Sequence, residues 1–390
     1  MRRSILPAAA AIVAAAAIAA PSAANAAGAG TVWSVVQSPN VTSGTFAHNE
    51  LVSVSALSDT DVWAAGFSNT STSGHNDRPL IEHWNGTTWT VTPAGTANIM
   101  LRGISADAAN DAWAVGESFD GRALLAEHWN GTAWSGVALP VPADSLRASI
   151  QGVTALSPTN AWAVGWYSNN SLNLPLIEHW DGTAWSVVPN VPRQVSESNF
   201  LHAITAVSAD DIWAVGEYFQ GGSATLLLHW NGTAWSVVKP AQLGTGEGNA
   251  FPVAVSAVAS DDVWATGRRT RTGDDGVTNA EPYAIHWNGT QWTEVATPLP
   301  ATPSAAFDFT GVAAVSANDV WTVGIDGSGA FAEHWDGTAW TRAGLPALST
   351  AGSALFGVAT SGPSSLWAVG ESNPKNGLST QTLTLHTTRG

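Results

Sequence analysis

Hydrophobic and polar residues along this chain alternate over short runs, and turn residues break the runs at regular intervals. The clearest unit runs L-H-A-I-T-A-V-S-A-D-D-I-W-A-V-G from Leu201, then L-L-L-H-W-N-G-T-A-W-S-V-V from Leu226. Ile204-Thr205-Ala206-Val207 and Ile212-Trp213-Ala214-Val215 read as two strands bounded by Ser, Asp and Gly. A third strand ends at His229-Trp230 and a fourth begins at Trp235. The Asn231-Gly232 pair between them is a short hairpin signal, which predicts a type I′ turn. Helix caps and a 3.6-residue period are missing from the unit.

The unit recurs. Its first tryptophan returns at Trp63, Trp113, Trp162, Trp213, Trp264, Trp321 and Trp367, with spacings between 46 and 57 residues. The second, in His-Trp, returns at Trp84, Trp129, Trp180, Trp230, Trp287 and Trp335; the third at Trp89, Trp134, Trp185, Trp235, Trp292 and Trp340. A fixed period in this range belongs to repeat architectures. Seven units of four short strands predict an all-β, seven-bladed β-propeller. The last unit stops after its third strand, at Leu385-His386-Thr387. The missing fourth strand stands at the other end, where Thr31-Val32-Trp33-Ser34-Val35-Val36 matches Thr-Ala-Trp-Ser-Val-Val at Trp185 and Trp235. Completing the last blade with residues 31–36 closes the ring and leaves no open sheet edge.

The unit resembles those of WD-repeat and kelch propellers, in architecture and in a last blade split between the chain ends, over residues 31–390. Its motif departs from both: there is no Gly-His…Trp-Asp spacing, no recurring kelch Gly-Gly pair, and Ser-Ala-Asp-Asp-Ile-Trp lacks the Gly of a sialidase-type Asp box. A looser likeness is to bacterial and fungal propeller lectins, whose blades also pair a His-containing strand with a Trp-rich one. That likeness implies sugar recognition.

Residues 1–26 read as a signal peptide, which leaves 27–390 as the propeller. Arg2 and Arg3 precede an apolar run from Ile5 to about Ala20, and Ala24-Asn25-Ala26 is a small-residue cleavage site. Arg2-Arg3-Ser4-Ile5-Leu6 also echoes a twin-arginine signal. Either route predicts an extracellular protein. No later segment reaches about 18 unbroken apolar residues, so no membrane span is expected.

Composition narrows the chemistry. The chain has no Cys, which excludes disulfides, thiolate metal sites and a thiol nucleophile. Its formal charge of −16 argues against nucleic acid as a partner. Of the 21 tryptophans, 20 hold repeat positions, where packing between blades is their use. A buried Trp removes roughly 200 Å² from water, worth about 5 kcal/mol before entropy. His83, His128, His179, His229, His286, His334 and His386 come one per blade, too scattered to ligate one ion, so neither metal nor cofactor is expected. Strand two starts where strand three ends, so His229 should meet Asp211; Asp61, Asp111, Asp262 and Asp319 repeat that Asp, and Asn160 and Ser365 replace it. Asn85, Asn130, Asn231 and Asn288 form glycosylation sequons, but Asp181 and Asp336 replace them in the other two units, so the turn explains the motif.

Function is therefore expected where the repeat breaks. With the first strand innermost, the first-to-second and third-to-fourth turns share one stereotyped face, and the variable connections open on the other. After the Gly that ends strand two stand Phe67, Glu117, Trp166, Glu217, Arg268, Ile325 and Glu371. Arg102, Gln151 and His202 vary likewise near the start of strand one, and Arg268-Arg269-Thr270-Arg271-Thr272-Gly273-Asp274-Asp275 is a basic insertion. Trp166, Tyr167, Tyr218 and Phe219 offer stacking surface; Glu117, Glu217 and Glu371 offer hydroxyl acceptors. These residues point to a secreted, non-catalytic monomer that binds a glycan or cell-wall polymer. The alternatives are an extracellular protein-interaction scaffold, or a glycosidase or lyase using two of the three carboxylates. Against the enzyme stands the lack of G-x-S-x-G, H-E-x-x-H or a nucleotide loop.

Overall fold

A computed structural model of the chain describes residues 31–70, 77–95, 98–194, 196–219, 221–239, 249–272, 278–298, 307–349, 352–373 and 379–389. Residues 1–26 and Gly273–Asp275, singled out above, lie outside them. The described residues form seven antiparallel sheets of four strands, with no helix among them. The first sheet sets the pattern: β2 (His48–Ser58), β3 (Asp61–Asn69), β4 (Arg78–Trp84) and β5 (Trp89–Val91) lie in that order. Blades 2 to 6 repeat it. In blade 7 the fourth place is taken by β1 (Thr31–Val36), which pairs with Gln381–Arg389 in the register Thr31↔Arg389 to Val36↔Thr384. The first strand of every blade lines a central channel, and β2 packs against the first strand of blade 7 to close the circle.

Alternation places the tryptophans in the seams. All seven first-position tryptophans are at most 5% exposed. Each of these in blades 1 to 5 and 7 packs on the second and third tryptophans of the following blade, as Trp213 does on Trp287 at 5.0 Å and on Trp292 at 5.3 Å. At the 6–7 seam the second position is Thr387, and a single tryptophan, Trp33, meets Trp321, edge-on at 5.6 Å. The histidines follow expectation. His83, His128, His229, His286 and His334 bond their aspartates at 2.6–2.9 Å, His179 bonds Asn160 and His386 bonds Ser365. Each histidine ring also lies against the first tryptophan of its own blade, as His229 does against Trp213 at 4.3 Å.

Two local readings need correction. First, the Asn-Gly connection is a four-residue turn, not a two-residue type I′ turn. Trp230 pairs with Trp235, and Gly232 has positive φ while Asn231 does not. Asn231 Oδ1 accepts from Thr233 N, Thr233 Oγ1 and Ala234 N. Asp181 Oδ1 accepts the same three bonds, so a shared side-chain oxygen explains why Asn and Asp interchange and why Thr follows. The Thr183 hydroxyl and the Ala184 and Thr183 amides hold the exposed Asp181 carboxyl down at about 2.

Second, each first strand begins several residues before its apolar run and carries a β-bulge. The bulge sits at Val52, Arg102, Gln151, His202, Val253, Thr310 and Phe356, where the pairing register slips by one. Opposite it stands the Gly that ends strand two. A Cβ on Gly216 would lie 2.0 Å from Phe200 O, and the equivalent glycines are equally confined. Gly216→Ala is expected to destabilise the protein by about 3 kcal/mol in denaturant unfolding. A loss below about 1 kcal/mol would show that the bulge yields freely.

Candidate functional site

The bulge sets the geometry of the channel mouth. Its extra residue turns toward the axis, so Arg102, Gln151 and His202 line the channel together with Val52, Val253, Thr310 and Phe356 in a cavity of about 230 Å³. Blades 2 to 4 thus supply a polar arc, and blades 5 to 1 a mainly apolar one. Below the ring stand small residues such as Gly103, Gly152 and Gly311; a Cβ on Gly103 would come 3.2 Å from Gly152 Cα.

The residues after the strand-two glycines gather at the same mouth, and Phe67, Glu117, Trp166 and Arg268 contact the first strand of the following blade. Glu117 is 5% exposed; its Oε1 accepts from Arg102 Nε at 3.0 Å and its Oε2 from Ile150 N at 3.3 Å. Burial raises its pKa and the Arg102 guanidinium opposes the rise. Trp166 meets Phe200 edge-on at 5.5 Å. Glu217 Oε1 lies 3.5 Å from His202 Nε2. Burial pushes Glu217 up, but His202, Ser223 and Arg268 outweigh it and hold the carboxyl below its ordinary range. Arg268 lies over the Phe251 ring at 5.3 Å and donates to Asp308 at 3.3 Å. Glu371 faces Glu50, whose pKa burial and Glu371 push up to about 7.

Eight of the ten candidates from the sequence therefore converge. Tyr167 and Tyr218 do not. Side chains alternate along a strand, so each points to the opposite side from Trp166 or Glu217 and packs into the seam with the preceding blade. Phe219 is 53% exposed on the outer rim. The basic insertion is partly consumed: Arg269 is buried against Tyr283 and Glu294, and Arg271 lies 3.9 Å from Glu281. The mouth residues absent from the sequence reading are Glu50, Phe200, Phe251 and Asp308, two residues before the bulge. Their signal was the bulge itself, which shifts the alternation by one. Among the described residues no group of three or more His, Asp or Glu side chains could hold a metal ion.

Fold and site together define a seven-bladed β-propeller whose repeat-breaking residues ring one end of the channel. No family model matches the chain, and no curated protein matches it in sequence. The likeness to WD-repeat and kelch proteins is thus one of architecture. Solved structures agree on the fold at low identity. YCF48 bound to D1 peptide is 14% identical, with a TM-score of 0.55 over 92% of this chain and 95% of that one. The polysaccharide lyase Uly1 is 8% identical, at 0.54 over 85% and 88%. The SapL1 lectin in complex with alpha methyl fucoside is 14% identical, at 0.47 over 78% and 99%.

Proposed function

We propose that this protein is exported and binds carbohydrate, a glycan or cell-wall polymer, at the variable-face mouth of its channel. One observation carries the reading: the residues that break the repeat converge there, and aromatic rings alternate with carboxylates and arginines around the rim. Sugars present apolar faces that stack on rings and hydroxyls that bond to charged groups. Trp166 with Phe200 would supply the stacking surface, and Glu217, Arg102 and Gln151 the polar contacts. The two Glu117 oxygens already bond Arg102 and Ile150 N, which suits a positioning role better than a free acid. Propellers of similar fold include a polysaccharide lyase, which accords with a carbohydrate ligand.

The test is binding of the mature protein to a polysaccharide and glycan panel. The double variant Trp166→Ala, Glu217→Ala should lose about 2 kcal/mol of affinity, roughly thirtyfold. Unchanged affinity in that variant would overturn the site. A second reading rests on a separate observation. Val41, Phe46, Phe119, Val141, Leu146 and Phe219 are 37–56% exposed on the variable-face connections. Such a rim suits a protein partner, and one structural neighbour holds a peptide. Capture of a defined extracellular protein, without affinity for any glycan, would favour that reading.

A further inference from the structure

The internal repeat offers a comparison between the seven blade junctions. At three of them the residue after the strand-two glycine meets the residue two positions before the next blade's bulge. These three pairs are compatible: Trp166 with Phe200, Glu117 with Ser149, Arg268 with Asp308 at 3.3 Å. At the junction of blades 7 and 1 the strand register puts Glu371 and Glu50 in the places that Arg268 and Asp308 hold between blades 5 and 6, so two carboxyls stand where the other junction has an ion pair.

Their surroundings do not neutralise them. Asp77, 3% exposed, acts on Glu50 as a third acid; its Oδ1 accepts from Asn69 Nδ2 at 2.8 Å, and its Oδ2 has no partner. Asn69 Oδ1, also buried, has none. Arg102 is the cation acting on Glu50, and it is already bonded to Glu117. Thr380 and His48 act on Glu371, against a burial that raises its pKa. Facing carboxyls of this kind either share a proton or take up a cation. The set is not gathered tightly enough for a metal ion. At the equivalent junction the cation is an organic one, the Arg268 guanidinium.

We propose that the blade 7–blade 1 junction is a subsite for an ammonium group, that of an unacetylated amino sugar within the polymer. The sugar assignment rests on the carbohydrate reading above; the ammonium assignment rests on Glu50, Glu371 and Asp77. The negative charge of the whole chain favours approach of such a ligand. Because burial and the neighbouring acids push Glu50 up to about 7, acid should compete with the ligand, and binding should weaken as pH falls from 8 to 5.

The experiment is calorimetric titration of the mature protein with a glucosamine oligomer and with its fully N-acetylated counterpart of equal length. The free amine should bind about tenfold more tightly. Glu50→Gln combined with Glu371→Gln should erase that preference. Glu371→Arg should erase it too while raising the unfolding midpoint, because it recreates the Arg268–Asp308 arrangement and so reports a folded protein. Equal affinity of the two oligomers would overturn the subsite and leave the carbohydrate reading intact. If no glycan binds but a lysine-rich peptide does, and the two Gln substitutions abolish that binding, the ammonium subsite stands and the carbohydrate reading falls. A preference that persists in Glu371→Arg would overturn the assignment to this junction.

Discussion

A chain that begins at Gln37 is expected to lose cooperative folding, because blade 7 then ends in an open strand. Residues 381–389 would lose their six-residue pairing with β1, leaving a long unpaired edge. The 6–7 seam would lose Trp33, which is 4% exposed and is the one tryptophan packed on Trp321, where other seams use two. The single substitution Trp33→Ala isolates that term. It should cost about 3–5 kcal/mol in denaturant unfolding. Trp134→Ala should cost less, since Trp129 still lies 5.0 Å from Trp63 at that seam. A loss for Trp33→Ala no greater than for Trp134→Ala would mean that the closing strand is not the weak point of the ring.

The second large effect runs in the stabilising direction. Third strands carry Glu82, Glu127, Glu178 and Glu333 at a position where blades 4, 5 and 7 place Leu228, Ile285 and Leu385. Glu127 accepts from Gly95 N, across the seam with blade 1. Glu178 is 0% exposed, neither of its oxygens has a partner, and burial alone pushes its pKa up to about 8. Glu178→Leu should therefore stabilise the protein by about 1–3 kcal/mol, since it removes an unpaired buried polar group. The sign with pH follows from the raised value. Below the ordinary value of 4.5 the group is protonated in folded and unfolded chains alike and costs nothing extra. Between 4.5 and about 8 only the unfolded chain releases the proton, so the native protein loses stability from this group progressively as pH rises through that window. Urea midpoints measured at pH 5 and pH 8 should show a gain from Glu178→Leu that is larger at pH 8. A gain that does not change with pH would mean that the carboxylate finds solvent or a counter-charge.

The sequence made the ring legible because each structural role recurs. The tryptophan periods, the Asp–His partners and the displaced strand at Thr31–Val36 could all be matched against other copies of themselves. The mouth was legible for the opposite reason: Trp166, Glu117, Glu217 and Arg268 break a position that should otherwise repeat. Two kinds of information stayed hidden. The bulge at His202 inverts strand alternation, so a period-two reading that starts at Ile204 misplaces Phe200, and with it Glu50 and Asp308. The same rule, applied one step further along strand two, separates Tyr167 from Trp166. The glutamates before His-Trp were hidden because strand three is covered on both sides, and hydropathy alternation then marks no solvent face for Glu178 to violate.

The proposed binding belongs to the channel mouth, and the repeated turns belong to the scaffold. Amide hydrogen exchange of residues 27–390 with and without a bound glycan tests this most directly. Protection is predicted around the bulges at Arg102, Gln151 and His202 and along Gly165–Ser168 and Gly216–Phe219, with no change at the Asn85–Thr88 and Asn231–Ala234 turns. Protection confined to those turns, with the mouth exchanging as in the free protein, would contradict it.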